Sequence, residues 1–335
     1  MTVDAAVARA TAERVLLRLG ARADDAATVA DVLLEADLRG QHSHGLLRLP
    51  TIAGRVEAGL IRPEAEMRIL ASSPATALAD AGNGFGHAMA ERAMSLAQDI
   101  ASDAGVGLVG VRDNNHIGML GYYAERCARA GYVAAVCTTT EPMVHPFGGS
   151  ERLLGTNPIA IGVPAVPDPF VLDFSTSETA IGKIIDAVQR GVSIPPEWAL
   201  DGRGEPTTDA TEALAGAINP FGGAKGYGLS LAVALLAGLM VGSAPNPEVV
   251  GTLDTEHAVN KGDLFVAVDP RCFPGGSGLA LASTSLLDQV RSSRPAPGTD
   301  VVRVPGDRGR ERRERCIDAG IELPSALWAT IGELE

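Results

Sequence analysis

Cysteine is scarce in this 335-residue chain: Cys127, Cys137, Cys272 and Cys316 are all it has, with no C-x-x-C pair and no zinc-type spacing. That scarcity excludes a disulfide framework and a cysteine-built metal site, and it fits a reducing, cytoplasmic setting. Cys127 and Cys137 lie in apolar stretches and read as small buried hydrophobes. Positive charge is also in short supply. Lys and Arg number 28 against 41 Asp and Glu, a net charge of −13. Such a surface repels a phosphate backbone, so no nucleic-acid partner is expected. Long apolar runs are missing too. The longest, Gly228–Gly242, has 15 residues with three glycines and a serine among them, short of the ~20 needed to cross a bilayer. It reads as a buried helix, and no membrane association is expected. The first 20 residues lack a basic flank followed by an apolar block, so they read as no secretory signal. Aromatic residues make up only 4%.

What is present is apolar mass and backbone freedom. Hydrophobic residues reach 46%, enough for a large core. Gly and Pro number 39 and 21, well above the usual combined ~12%. Many tight loops and close backbone approaches follow, as around a small-molecule site. Residues 4–39 show helical spacing twice, with Gly20 as the stop of the first helix, and a third helix is predicted over Leu46–Gly59. Between them, Leu38–Gly45 has no period and reads as a loop. From residue 75 short β-like runs alternate with helices. Strands are predicted at Ala75–Ala79, Val106–Val111, Tyr132–Cys137, Ile159–Val163, Val171–Phe174 and Leu264–Val268, with helices at Gly84–Ser102 and Gly118–Ala130. This is an α/β pattern with a central sheet. Residues 195–209 and 292–298 are turn-rich, and the charge run at 307–315 reads as a solvated helix face.

Four features carry candidate chemistry. Gly82–Gly86, GNGFG, follows a strand and precedes a helix, but its spacing and the His87 that follows are a poor dinucleotide fingerprint. It reads as a tight turn. His42-Ser43-His44-Gly45 is followed by Arg48, pairing an imidazole that titrates near neutrality with a guanidinium suited to a carboxylate. His116 follows two asparagines just after a predicted strand, where α/β proteins place ligands. Last, LGTNP (154–158), VLDFSTS (171–177) and GAKGYG (223–228) offer backbone N–H, hydroxyl and lysine donors for phosphate oxygens.

These segments, with PFGG before LGTNPIAIGVPA and with KGDLFVAVDP near the end, occur in an order that resembles the malate/L-lactate dehydrogenase family over about residues 5–325. The resemblance implies NAD or NADP on a non-Rossmann fold with a largely antiparallel sheet and an N-terminal helical part, in a homodimer. It implies a helical part at 1–70, a cofactor-binding and catalytic core at 71–298, and a C-terminal segment at 299–335 that packs back on the N-terminal part. It implies hydride transfer between nicotinamide and C2 of a small 2-hydroxy or 2-oxo carboxylate, or alternatively reduction of a cyclic imino acid. A homologue that only binds ligand is the competing reading from another class. On the substrate side, the resemblance assigns Ser43, His44 and Arg48, with His116 as the favoured acid/base group and His44 as its rival. For the cofactor it assigns Thr140, Thr156, Asn157, Asp173, Phe174, Ser175, Lys225, Gly226 and Gly306. His42, where the family has an acidic residue, and Thr139–Thr140 followed by Glu141 depart from the family pattern.

Overall fold

The computed structural model describes residues 1–335. The chain opens with a two-residue strand, β1 (Thr2–Val3), and two helices, α1 (Ala5–Arg18) and α2 (Ala23–Leu38). Asp4 caps α1 by accepting from the amides of Ala6 and Val7. Gly20, with φ +89°, ends that helix as expected from its freedom in the left-handed region. After two 3₁₀ turns, His42–His44 and Leu46–Arg48, comes α3 (Leu49–Glu57).

Then the sheet begins: β2 (Arg68–Ser72), β3 (Thr76–Asp80), α4 (Gly86–Ala104), β4 (Val106–Arg112), α5 (Leu120–Arg129), β5 (Val133–Thr138), β6 (Ile159–Val163) and β7 (Phe170–Phe174). An excursion follows, comprising α6 (Ile181–Arg190), β8 (Ala199–Leu200), α7 (Ala210–Ala215), β9 (Ala217–Ile218) and α8 (Ala224–Val233). The chain returns through β10 (Gly262–Val268), α9 (Leu279–Arg291), α10 (Asp307–Ala319), β11 (Ile321–Glu322) and α11 (Ser325–Glu333).

Seven strands make the central sheet in the order β2-β3-β4-β10-β5-β6-β7. Only β3 and β4 run parallel; every other pair is antiparallel. The expected α/β class with a largely antiparallel, non-Rossmann sheet is therefore the fold observed. Helices α4 and α5 pack on the sheet at glycines. A methyl group on Gly107 of β4 would overlap the Ala97 carbonyl of α4, and one on Gly162 of β6 would overlap the Ala124 carbonyl of α5. The glycine excess is partly this close approach. A second core joins α1, α2 and α3 to α11, and β1 pairs with β11.

One expectation needs correcting. Gly228–Gly242 is not a buried helix. The helical run Ala224–Val241 buries one side under β10 and β5 through Val233, Ala237 and Val241, while Leu231, Leu235, Leu236, Leu239 and Met240 are exposed. It is the only helical run apolar and long enough to pass as a membrane span, and its inner face is taken up by the sheet. β2 went unpredicted because all five of its residues are exposed and give no apolar alternation.

Candidate active site

Residues 113–116 leave the end of β4, with Asp113 in the left-handed region (φ +54°). Both following asparagines are buried and used as clamps. Asn114 Nδ2 donates to Asp263 Oδ2 (2.7 Å), tying the loop to β10. Asn115 Oδ1 accepts from Arg55 Nη2 (3.0 Å), and its Nδ2 donates to the Gly84 carbonyl (2.9 Å). Behind them lies a buried ion pair. Lys261 bonds Asp263 and donates to Thr138 Oγ1 (3.1 Å), joining the ends of β10 and β5.

The loop so held presents His116. Its ring stacks on His44, with centroids 5.6 Å apart and planes at 21°, and meets the edge of the His87 ring at 5.7 Å and 74°. His116 Nδ1 and His87 Nε2 are buried with no partner. His44 Nδ1 shares a 2.9 Å hydrogen bond with Ser43 Oγ, which leaves Nε2 as its free nitrogen. Arg48 donates Nε to the Ser43 carbonyl (2.6 Å), and its terminal nitrogens have no protein partner. Arg48, Arg55, Phe85, His87, Asn115 and His116 line one cleft. Thus the structure brings Ser43, His44, Arg48 and His116 together from three elements.

All three imidazoles are held as free bases. Burial, and then the nearby Arg48, pushes His44 down to about 4. Burial, then His44 and Lys261, pushes His87 down to about 3. Burial, then His44, His87, Arg48 and Lys261, holds His116 well below the ordinary imidazole range. Burial also lowers Arg48, with Glu141 opposing.

A second polar region adjoins residue 140. Thr140 Oγ1 accepts from the Thr156 amide (2.8 Å), and Asn157 Oδ1 accepts from the Thr140 amide (3.1 Å). Asn157 is fully buried and spends its amide nitrogen on Ser230, so it shapes this region from beneath. The Thr176 amide bonds the Thr156 carbonyl (2.8 Å), and Phe174 meets the edge of Phe221 at 5.5 Å. Ser175 Oγ accepts from Ser177 Oγ (3.0 Å). Beyond Phe221, Gly222 and Gly223 take positive φ and lead into α8, whose first turn holds Lys225 and Gly226. Lys225 is exposed and has no ion-pair partner. A helix N-terminus with a free lysine and flanking hydroxyls fits the diphosphate of a nicotinamide dinucleotide.

Asp173 behaves differently. Strand alternation turns it away from Phe174 and onto α5, where Oδ2 accepts from the Gly121 amide (2.7 Å). Burial raises its carboxyl to about 6, against the pull of that N–H and of Arg39. Gly306, with φ +95°, caps α10 beside the Val171 carbonyl. In the Gly82–Gly86 turn a side chain at Gly86 would overlap the carbonyls of Asn115 and His116, so glycine there lets the start of α4 pack on the 113–116 loop. That agrees with reading it as a tight turn.

Sequence reasoning passed over His87, Arg55 and the Lys261–Asp263 pair. Arg55 stands two helical turns after Arg48 and so shares its face. KGD was recognised as a motif without a role. His87 was seen only as a misfit in a glycine pattern.

A mixed sheet without a Rossmann crossover, an arginine with free terminal nitrogens beside two neutral imidazoles and a region of hydroxyls and glycines at a helix N-terminus are the features to set beside known proteins. The chain belongs to the malate/L-lactate dehydrogenase family, whose pattern matches residues 3–332. It is 39% identical over 320 residues to the L-sulfolactate dehydrogenase of Methanocaldococcus jannaschii, covering 96% of this chain and 92% of that one. It is 35% identical over 319 residues to the ureidoglycolate dehydrogenase (NAD(+)) of Escherichia coli K12, covering 94% and 90%. Among solved structures, a dehydrogenase from Sinorhizobium meliloti superposes with a TM-score of 0.94 at 43% identity, over 100% of this chain and 98% of that one. The chain is accordingly a nicotinamide-dependent dehydrogenase acting on 2-hydroxy acids.

Proposed function

We propose that the chain oxidises the C2 hydroxyl of a small 2-hydroxy acid, or reduces the corresponding 2-oxo acid, with Arg48 holding the carboxylate and His116 moving the proton. The unpartnered terminal nitrogens of Arg48 beside two neutral imidazoles carry this reading. Two parallel N–H groups match a carboxylate. His116, a free base, accepts the hydroxyl proton in oxidation, and His44, its tautomer set by Ser43, donates from Nε2 to the reacting oxygen. The nicotinamide, when bound, accepts or returns the hydride of C2. Lys225, Gly226, Thr140, Thr156, Phe174 and Ser175 would hold the dinucleotide, NAD or NADP, over Asn157 as a support; Asp173 and Gly306 border the site through α5 and α10.

Arg55 adds a second positive charge to the cleft, but its donors go to Asn115 and to the carbonyls of Asp254 and His257. It favours acids with a second anionic arm, of the malate or sulfolactate type, by charge alone. A homodimer is the assembly that covers the exposed leucines of 224–241 and Leu281 and Leu286 of α9, a helix with no buried residue. A cytoplasmic enzyme is consistent with four unpaired cysteines.

The test is a spectrophotometric assay of malate, lactate, sulfolactate and ureidoglycolate with NAD and NADP, alongside a cyclic imino acid with both reduced cofactors. Turnover of a 2-hydroxy acid that falls about 10²–10⁴-fold in His116→Ala is expected. Turnover of the imino acid alone overturns the substrate class; full activity in His116→Ala overturns the proton assignment.

A further inference from the structure

His87 is a titratable side chain of the cleft that the scheme above leaves without a task. It sits in the first turn of α4, is 2% exposed, and its ring makes no hydrogen bond. A neutral polar ring in such a place costs free energy unless its position is worth that cost. Two contacts define the position. On one side the ring edge meets the His116 ring. On the other it fills the space that a side chain on Gly118 would need, with Val32 of α2 closing the same gap. Gly118, at φ +70°, is the glycine of the N-N-H-I-G segment itself. The ring is therefore a wedge between Gly118, Val32 of α2 and the His116 ring, which it meets at a steep angle while His44 stacks on it nearly parallel.

We propose that His87 is a positioning residue: it holds the His116 ring against His44 and keeps water from the inner side of that ring, so that His116 takes up a proton only from substrate. The other groups facing His116 are fixed and favour the same state. They are His44 and Arg48 from the turn before α3, and the Lys261–Asp263 pair from β10. The inference rests on His116 as the proton-transfer group.

Two variants of the full chain test it. His87→Ala opens the inner side to water. The acid limb of kcat/KM should then rise by about one pH unit and kcat should fall about tenfold, with KM for the acid and Kd for the cofactor within about twofold. His87→Leu keeps the volume and the dryness but loses the ring edge. Its acid limb should stay at the parental pH while kcat falls several-fold. A folded His87→Ala enzyme with parental kcat and pH profile overturns the proposal. If that variant does not fold, parental kcat in His87→Leu overturns it instead. NMR titration of the His116 imidazole in parent and His87→Ala separates this from the scheme it rests on. A raised His116 pKa supports the wedge even if His116→Ala proves active, and an unchanged one refutes the wedge alone.

Discussion

Arg48 Nε lies 2.6 Å from the backbone carbonyl of Ser43, the residue whose hydroxyl shares a 2.9 Å hydrogen bond with His44 Nδ1. One short segment thus orients both the guanidinium proposed to bind the carboxylate and the imidazole proposed to face the reacting oxygen. Lysine at 48 would have no Nε–H for that carbonyl and no planar fork. Arg48→Lys should lower kcat/KM about 10- to 100-fold, some 1.4–2.7 kcal/mol, in steady-state assays. A parental kcat/KM would remove Arg48 from the site.

Lys225 and Gly84 separate the two glycine-bearing turns. Lys225→Ala should raise Kd for the nicotinamide cofactor about tenfold, measured by fluorescence titration, without changing Tm. Gly84→Ala, where a methyl group would crowd the end of the Met89 side chain and Ala65, should lower Tm and leave Kd alone. Cofactor affinity that follows Gly84 and ignores Lys225 would place the dinucleotide on α4.

Acid sensitivity follows from the depressed histidines. An unfolded imidazole titrates near 6.5, while His44 and His87 in the fold stay neutral down to about 4 and about 3. Between those limits the unfolded chain binds more protons, so stability is full above about 6.5 and is lost as pH falls toward 4. Chemical denaturation at pH 7.5, 6, 5 and 4 should show this decline, and His87→Leu should flatten it. An equal slope in parent and variant would contradict the assignment.

Lys261→Met should be among the most damaging single changes. It leaves the fully buried Asp263 carboxylate uncompensated, with an expected loss of about 3–5 kcal/mol in denaturant melts. Adding Asp263→Asn should recover most of that loss, since an amide still accepts from Thr138 or Asn114. A single variant as stable as the parent would mean the pair is not closed in solution.

Asp173 gives the opposite pH sign to the histidines. Its carboxyl titrates near 6 in the fold, so the folded chain binds the extra proton and ionisation above that pH weakens stability. Asp173→Asn should raise Tm at pH 8 and not at pH 4.5 in calorimetric scans. A lower Tm at pH 8 would mean the carboxylate is held by more than Gly121.

Much of the fold was readable because its helices and inner strands carry regular apolar spacing. α1, α2, α4, α5, β4, β5, β6 and β10 fall close to their predicted limits. The misses have local causes. β2 is an exposed edge strand, and the 224–241 helix is apolar on a face that this chain alone does not cover. At the site, Ser43, His44, Arg48 and His116 were legible because they cluster in two short segments. Asn114 and Asn115 mark the loop of His116 in the sequence, but their own partners, Asp263 and Arg55, lie 149 and 60 residues away. Spacing along a chain carries no trace of such pairings. His87 needed the ring geometry.

The clamp of Asn115 by Arg55 also joins two loops that lie far apart in the chain. Arg55 grips the asparagine on one side and the carbonyls of Asp254 and His257 on the other. An altered sequence in the 254–257 loop pulls on the same guanidinium that steadies the peptide before His116. One guanidinium is thus shared between the 254–257 loop and the peptide that carries His116, so a change made in the loop should be felt at that imidazole.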